Sequence, residues 1–232
     1  MQATMPTTQQ TPSIPGSAIR SPATPDAIDL LEQFGSTMSV QREQEIHGQG
    51  DAAEYCWRIL SGCVRTVKLL EDGRRQVAEF LFAGDLLGLD DVGTHDFAAE
   101  AVTEVTLRRY PRRMVEALAD SHAALARRLR ALALANLRNA HERMVMLGRK
   151  TAIERIASFV LEMERRATAP GRRVTEVPMN RTDVADHLGL TVETVCRILA
   201  HMKRESIVVL HRSGIEVLDR PTLRAMASEP RH

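Results

Sequence analysis

The chain has 232 residues, 44% of them hydrophobic, with 31 Lys and Arg against 30 Asp and Glu and only three cysteines. Such a length suits two domains, each with its own core, and no apolar run approaches the roughly 18 residues a membrane span requires, so a cytoplasmic location and no membrane partner are expected. Cys56, Cys63 and Cys196 are too sparse for a disulfide scaffold and fit a reducing compartment.

Residues 1–26 hold five of the ten prolines among many Thr, Gln and Ser, and read as a disordered tail too polar to pack. Residues 27–119 are expected to form the next domain, with strand-like signals from about Glu45 to Tyr110. "CVRTVKLL" and "QVAEFLF" are β-rich runs separated by "EDGRR", whose Asp72-Gly73 pair predicts a hairpin turn. Further turn signals at Gly84-Asp85 and Gly93 complete the pattern of a small β-barrel or sandwich. Cys56 and Cys63 fall in these strands and read as core. "GLDDVGTHDF" places Asp90, Asp91, His95 and Asp96 together. That arrangement is open to metal or acid–base chemistry but is more simply a solvated turn, so no enzyme is expected.

The period then changes. Residues 120–147 contain neither Gly nor Pro, and Leu125, Leu129, Leu132, Asn136, Ala140, Met144 and Leu147 trace a helical stripe along about 40 Å. The stripe predicts either a helix packed on its own barrel or one that pairs with a twin. In the second case Leu125, Leu129, Leu132, Ala140 and Met144 form the interface and Asn136 sets its register. Gly148 reads as a hinge before a second helix over residues 151–166, opening a C-terminal domain of residues 148–232. That end is basic, with 15 Lys and Arg against 11 Asp and Glu from Arg149 onward, which makes it the better candidate for nucleic acid.

Within it, "RTDVADHLGLTVETVCRILAH" fits the helix-turn-helix template. Ala185 is small where two helices touch, Gly189 supplies the positive φ of the turn, Val195 is β-branched in the packed face, and Val184, Leu188, Leu190 and Ile198 fill the core positions. Thr191 is placed to cap the second helix. "IVVLHRSGIEVL" follows as two β-rich runs around Arg212-Ser213-Gly214, a hairpin that makes the domain a winged helix. On the second helix Glu193, Cys196, Arg197 and Ala200 share one face, and Val195, Ile198, Leu199 and Met202 make the other. Arg197 offers a donor fork matching O6 and N7 of guanine, and Glu193 can accept from N4 of the paired cytosine. The plainer alternative is an i,i+4 salt bridge on an exposed helix. Val192 and Cys196 join them as candidate base contacts, and Thr191, Arg181, His211 and Arg212 are candidate contacts to the DNA backbone. Cys196 is either a small group touching a thymine methyl or a redox-sensitive thiol whose oxidation closes the groove to DNA.

These stretches resemble the Crp/Fnr superfamily of bacterial transcription regulators. The second helix is similar to the Glu-x-x-Ser-Arg signature of its Fnr and FixK branches, with Cys196 in place of the serine. "YCWRILSGCVRTVKLLEDGRRQVAEFLFAGDLLGL" is similar to the family's β-roll, residues 120–147 to its dimerisation helix, and the remainder to its winged helix-turn-helix. The resemblance implies an α+β fold and a homodimer on double-stranded DNA of the type TTGA(T)…(A)TCAA. It further implies recruitment of RNA polymerase and control of microaerobic respiration, nitrogen-fixation or denitrification genes. Two departures matter. Fnr-type sensors hold an iron–sulfur cluster with four cysteines, whereas this chain has three and none before Cys56. Cyclic-nucleotide sensors follow Gly-Glu-Leu with an arginine, whereas Gly84-Asp85-Leu86 here lies in a stretch without Lys or Arg from Gln76 to Leu107, and a buried phosphate would lack its cation. The chain therefore resembles the FixK branch, with no cofactor expected. A regulator gated by a small molecule or by haem, using His47, His95 and the roll cysteines, is the alternative.

Overall fold

The computed structural model describes residues 27–89, 93–167 and 173–227. The tail expected over residues 1–26 lies outside them, as do Asp90 and Asp91 of the acidic loop. A short 3₁₀ helix, Ala27–Phe34, leads into β1 (Ser36–Val40), β2 (Glu45–His47), β3 (Tyr55–Ser61), β4 (Cys63–Leu69), β5 (Arg75–Phe82), β6 (Leu86–Leu87), β7 (Ala98–Ala101) and β8 (Val105–Pro111). These strands pair antiparallel in two four-stranded sheets, ordered β1-β8-β3-β6 and β2-β7-β4-β5. Both sheets contribute to one apolar interior, with Trp57, Ile59, Val105 and Leu107 from the first and Val64 and Leu81 from the second. The predicted hairpin joins β4 to β5, with Gly73 at a φ of 83° and the Asp72 carboxylate accepting from the Arg74 backbone N–H at 3.0 Å.

Strand β4 is buried on both faces, Val64 within the roll and Cys63 and Val67 in a second apolar cluster outside it. In β5 one extra residue, Ala78, opposes the step from Thr66 to Val67. This bulge brings Val77 and Phe80 into that same outer cluster instead of leaving them on opposite faces. The outer side of the hairpin is therefore the floor on which the C-terminal half packs.

That half follows α1 (Arg112–Ser121) and α2 (Ala123–Arg149). It comprises α3 (Ala152–Ala167), β9 (Val174–Glu176), α4 (Arg181–Leu188), α5 (Val192–Arg204), β10 (Val208–His211), β11 (Gly214–Val217) and α6 (Arg220–Ala227). No helix among the described residues is long and apolar enough to cross a membrane.

Three expectations are corrected. The long helix begins at Ala123 and runs through Gly148, so Gly148 is not the hinge; the backbone leaves the helix at Lys150, with ψ at 142°. The cause is the next helix: Thr151 and Glu154 form reciprocal side-chain to backbone bonds, Thr151 N–H to Glu154 at 2.6 Å and Glu154 N–H to Thr151 at 3.5 Å, which start α3 at that point. The predicted stripe is also divided. Leu125 is fully buried against Ile28, Leu31, Cys56, Tyr110 and Val115, and Leu129 and Leu132 lie half-buried on the same cluster, so these three belong to the protomer's own core. Asn136 is half-buried, Ala140 is exposed, and the exposed large apolar residues of α2 are Leu134, Leu137, Met144 and Val145. Finally, His95 is not in a solvated turn. It is 2% exposed and stacks on His47 at 3.7 Å between ring centroids, because its backbone N–H and carbonyl are bonded to Asp51 and Gly50 at 2.8 Å each.

His187 of α4 sits where roll and helices meet. Its Nδ1 lies 3.2 Å from the Val77 carbonyl, Arg143 of α2 reaches its ring nitrogens at 2.8 and 2.9 Å, and the ring leans on Phe80 and Phe159. Burial, reinforced by the Arg143 charge, pushes its pKa down to about 3. The folded state thus holds His187 neutral where an unfolded chain, near 6.5, takes up a proton. Stability contributed by neutral His187 is complete above pH 6.5 and is lost as pH falls toward 3. Urea unfolding between pH 6 and 4 should show wild type losing about 1.4 kcal/mol per pH unit relative to His187→Gln; parallel profiles would contradict the assignment.

Candidate nucleic-acid interface

The helix-turn-helix is built from local signals. Asn180 caps α4, accepting from the Asp183 N–H at 2.8 Å while Asp183 accepts from the Asn180 N–H at 3.4 Å. Gly189, with φ 61° and ψ 44°, ends α4 in the left-handed region that glycine adopts without strain. Leu190 N–H returns to the Ala185 carbonyl at 3.0 Å, and Thr191 caps α5 by accepting from the Thr194 N–H at 3.2 Å. Val184, Ala185, Leu188, Val195, Leu199 and Met202 are buried, with Leu190 and Ile198 half-buried against them.

The opposite face of α5 is open. The Glu193 and Arg197 side chains are 86% and 68% exposed, with 3.7 Å between Glu193 Oε1 and Arg197 Nη1. At that distance and exposure the pair is a loose i,i+4 ion pair worth a few tenths of a kcal/mol, free to exchange for other partners. Val192 and Cys196 are exposed on the same helix. Cys196 is the exposed thiol of the three; burial pushes Cys56 up to about 11 and Cys63 up to about 12. The structure therefore groups Val192, Glu193, Cys196 and Arg197 as expected. The backbone-contact candidates are spread over other elements. Thr191 is exposed but its hydroxyl is engaged in the cap, and Arg181 is half-buried at the first position of α4. His211 and Arg212 are exposed at the tip of the β10–β11 hairpin, to which β9 adds a third strand, and His211 Nε2 lies 3.3 Å from Glu216.

Residues outside the motif hold it in place. Arg65 of β4 directs Nη1 to both carboxylate oxygens of Asp183 at 3.1 Å, Nη2 to Glu43 at 2.6 Å and Nε to Glu100 at 2.7 Å. Arg75 of β5 donates to Asp183 at 2.7 Å and Asp186 at 2.9 Å, and Gln76 donates to the Asp186 carbonyl at 2.6 Å. Burial alone would make Glu43 a weaker acid and Arg65 a weaker base. Their mutual bonds and charges prevail, so Glu43 stays below the usual carboxylate range and Arg65 above the usual arginine value. Glu43 adopts a φ of 63° to reach its place, a conformation non-glycine residues rarely hold. Arg155 of α3 donates to the carbonyls of Leu147, Lys150 and Leu188 at 2.8, 2.9 and 2.8 Å, tying the end of α2 to the end of α4. The Asn180-x-x-Asp183 cap is a local pattern that the sequence reading passed over, whereas the distant cationic partners leave no local signal.

Comparison with known proteins agrees with this architecture. Residues 37–122 match the cyclic nucleotide-binding domain family and residues 154–226 the Crp-like helix-turn-helix domain family. The chain is 37% identical over 186 residues to the nitrogen fixation regulation protein FixK of Rhizobium meliloti, covering 80% of this chain and 84% of that one. It is 41% identical over 203 residues to FixK of Azorhizobium caulinodans, covering 86% and 82%. The solved structure of FixK2 from Bradyrhizobium japonicum superposes with a TM-score of 0.81 at 37% identity, over 85% of this chain and 99% of that one. A roll and a winged helix joined by one long helix, with these relatives, make the chain a member of the Crp/Fnr family of transcription regulators, on its FixK branch.

Proposed function

We propose that the protein is a transcription activator that binds, as a homodimer, a palindrome of the type TTGA(T)…(A)TCAA and recruits RNA polymerase. It acts in the cytoplasm on microaerobic respiration, nitrogen-fixation or denitrification genes. The observation that carries this reading is the open face of α5, where Glu193 and Arg197 stand one turn apart with their charged ends in solvent. Arg197 reads guanine O6 and N7, Glu193 the N4 of its cytosine, and together they take one G·C pair per half-site. Val192 and Cys196 meet neighbouring base edges, and Thr191, Arg181, His211 and Arg212 approach phosphates. The FixK relatives are named for the regulation of nitrogen fixation, which supports that regulon.

Dimerisation is assigned to the exposed seam of α2. Leu134, Leu137, His141, Met144 and Gly148 recur at spacings of three and four, the a/d pattern of a coiled coil, with Leu134, Leu137 and Met144 more than half exposed in the protomer. Binding without a small-molecule effector is supported by Asp85. Its carboxylate, in the Gly84-Asp85-Leu86 turn, already accepts from the Phe82 N–H at 2.8 Å and from Arg166 of α3 at 2.5 Å.

Arg197→Ala should weaken operator binding by about 1–3 kcal/mol and relax discrimination at one base pair per half-site, whereas Arg212→Ala should weaken all duplexes alike and lower the salt slope by about one; binding titrations on point-substituted operators separate the two. Leu137→Asp should convert dimers to monomers in sedimentation velocity, since it places a charge on the seam that a Leu contact of about 1.5–3 kcal/mol otherwise closes. Hydrogen peroxide should convert the exposed Cys196 thiol to a sulfenic acid with release of water and abolish binding in wild type but not in Cys196→Ser. Equal loss in both proteins would assign the effect elsewhere.

A further inference from the structure

The charged cluster between the roll and α4 is out of proportion to the task of holding two domains together. Val77 and Phe80 of β5 already pack with Val184 and Leu188 of α4 in one apolar cluster. Apolar contact is non-directional, however, and tolerates small rotations of one surface over another. The ionic contacts do not. The Asp183 side chain is 1% exposed and Arg65 6% exposed, so a shift of α4 that lengthens the 3.1 Å Arg65–Asp183 bonds or the 2.7 Å Arg75–Asp183 bond strands buried charge without water to replace the lost partner. Gln76 grips the Asp186 carbonyl of the same helix. On the other side Arg143 of α2 meets His187, and Arg155 ties the end of α4 to the last turn of α2. Helix α4 is thus held from the roll, from the long helix and from α3, and the Gly189 turn passes its orientation to α5.

We propose that Arg65 and Arg75, through Asp183 and Asp186, are positioning residues that set the angle of the recognition helix against the long helix and so fix the half-site separation the dimer accepts. The proposal rests on the reading of a symmetric operator given above. In a dimer joined along α2, both recognition helices must face the duplex in register, and moving one half-site by a single base pair rotates it by about 35° around the DNA axis. A rigid seat makes the protein intolerant of that rotation. A loosened seat keeps each reading head intact but lets the two heads move independently.

Full-length wild type, Arg75→Met and Gln76→Ala should be titrated by fluorescence anisotropy at fixed salt against the symmetric operator, the same operator with one base pair added to or removed from its centre, and a duplex with one half-site. Both substitutions lie in the roll and leave the helix-turn-helix sequence unchanged; in Arg75→Met the Asp183 carboxylate retains Arg65. Wild type should prefer the correct spacing by about tenfold or more, Arg75→Met by less than about threefold, and Gln76→Ala by an intermediate factor, with half-site affinity within about twofold throughout. Unchanged spacing preference in both variants overturns the proposal. So does a uniform loss on every duplex, which marks ordinary destabilisation. Wild type with no preference between the palindrome and a scrambled duplex defeats the underlying reading of function instead.

Discussion

Asp183 is a buried carboxylate, and such a group is tolerated only where donors surround it. Its donors are the guanidinium groups of Arg65 and Arg75 and the backbone N–H of Asn180. The last is local to α4, while the first two come from β4 and β5 more than a hundred residues earlier in the chain. The helix that opens the DNA-binding motif is therefore completed by the roll, and its capped form is satisfied in one place. With its inner side committed to β5, α4 buries Ala185 and Leu188 with Val195 and Leu199 of α5, and the polar side of α5 is left in solvent. Exposure of Glu193 and Arg197 follows from a carboxylate they never touch.

The long helix divides its apolar surface between a part packed on the roll and a part left exposed. Its first turns close the roll, with Leu125 in full contact with Tyr110 and Cys56 and with Leu129 and Leu132 on the flank. Past Leu132 the large apolar residues Leu134, Leu137, Met144 and Val145 are exposed, while Met146 near its end packs on the C-terminal cluster. Hydrophobic periodicity is blind to that change, because a residue packed on its own domain and one awaiting a partner have the same chemistry. The stripe traced through Leu125 and Asn136 joined the two faces into one. The proposed seam beginning at Leu134 is offset from it, and Met144 is shared by both.

What could be read from the sequence is what is determined within a few residues. The Gly189 turn, the Thr191 cap, the Asp72-Gly73 hairpin and the two faces of α5 each depend on neighbours one to four positions away. The Ala78 bulge could not be read, since it exists only as a register mismatch between β4 and β5, and without it Val77 and Phe80 alternate to opposite faces. Arg65 inverts the ordinary expectation for a charged residue in a strand; its burial is intelligible only once Glu43, Glu100 and Asp183 are seen to converge on it. His95 misled for the same reason, its polar surroundings in sequence giving no hint of the His47 ring against which it stacks.

The charge balance of the reading head makes its geometry matter more. A protein that binds DNA through many cations gains most of its affinity from phosphates and slides over any sequence. Here the C-terminal part carries 15 Lys and Arg against 11 Asp and Glu, and an acid stands in the middle of the exposed face. On the proposed reading, Glu193 repels phosphate and is favourable only where a cytosine amino group meets it, so it would penalise every misplaced register as well as reward the right one. Under that proposal, a head that depends on such discriminating contacts, with modest help from bulk charge, binds usefully only when two copies engage together. The gain from the second copy depends on its arriving at the correct place without further reorganisation. In the proposed dimer, rigidity between roll, long helix and α4 is then the property that would convert a weak, selective half-site contact into a strong one.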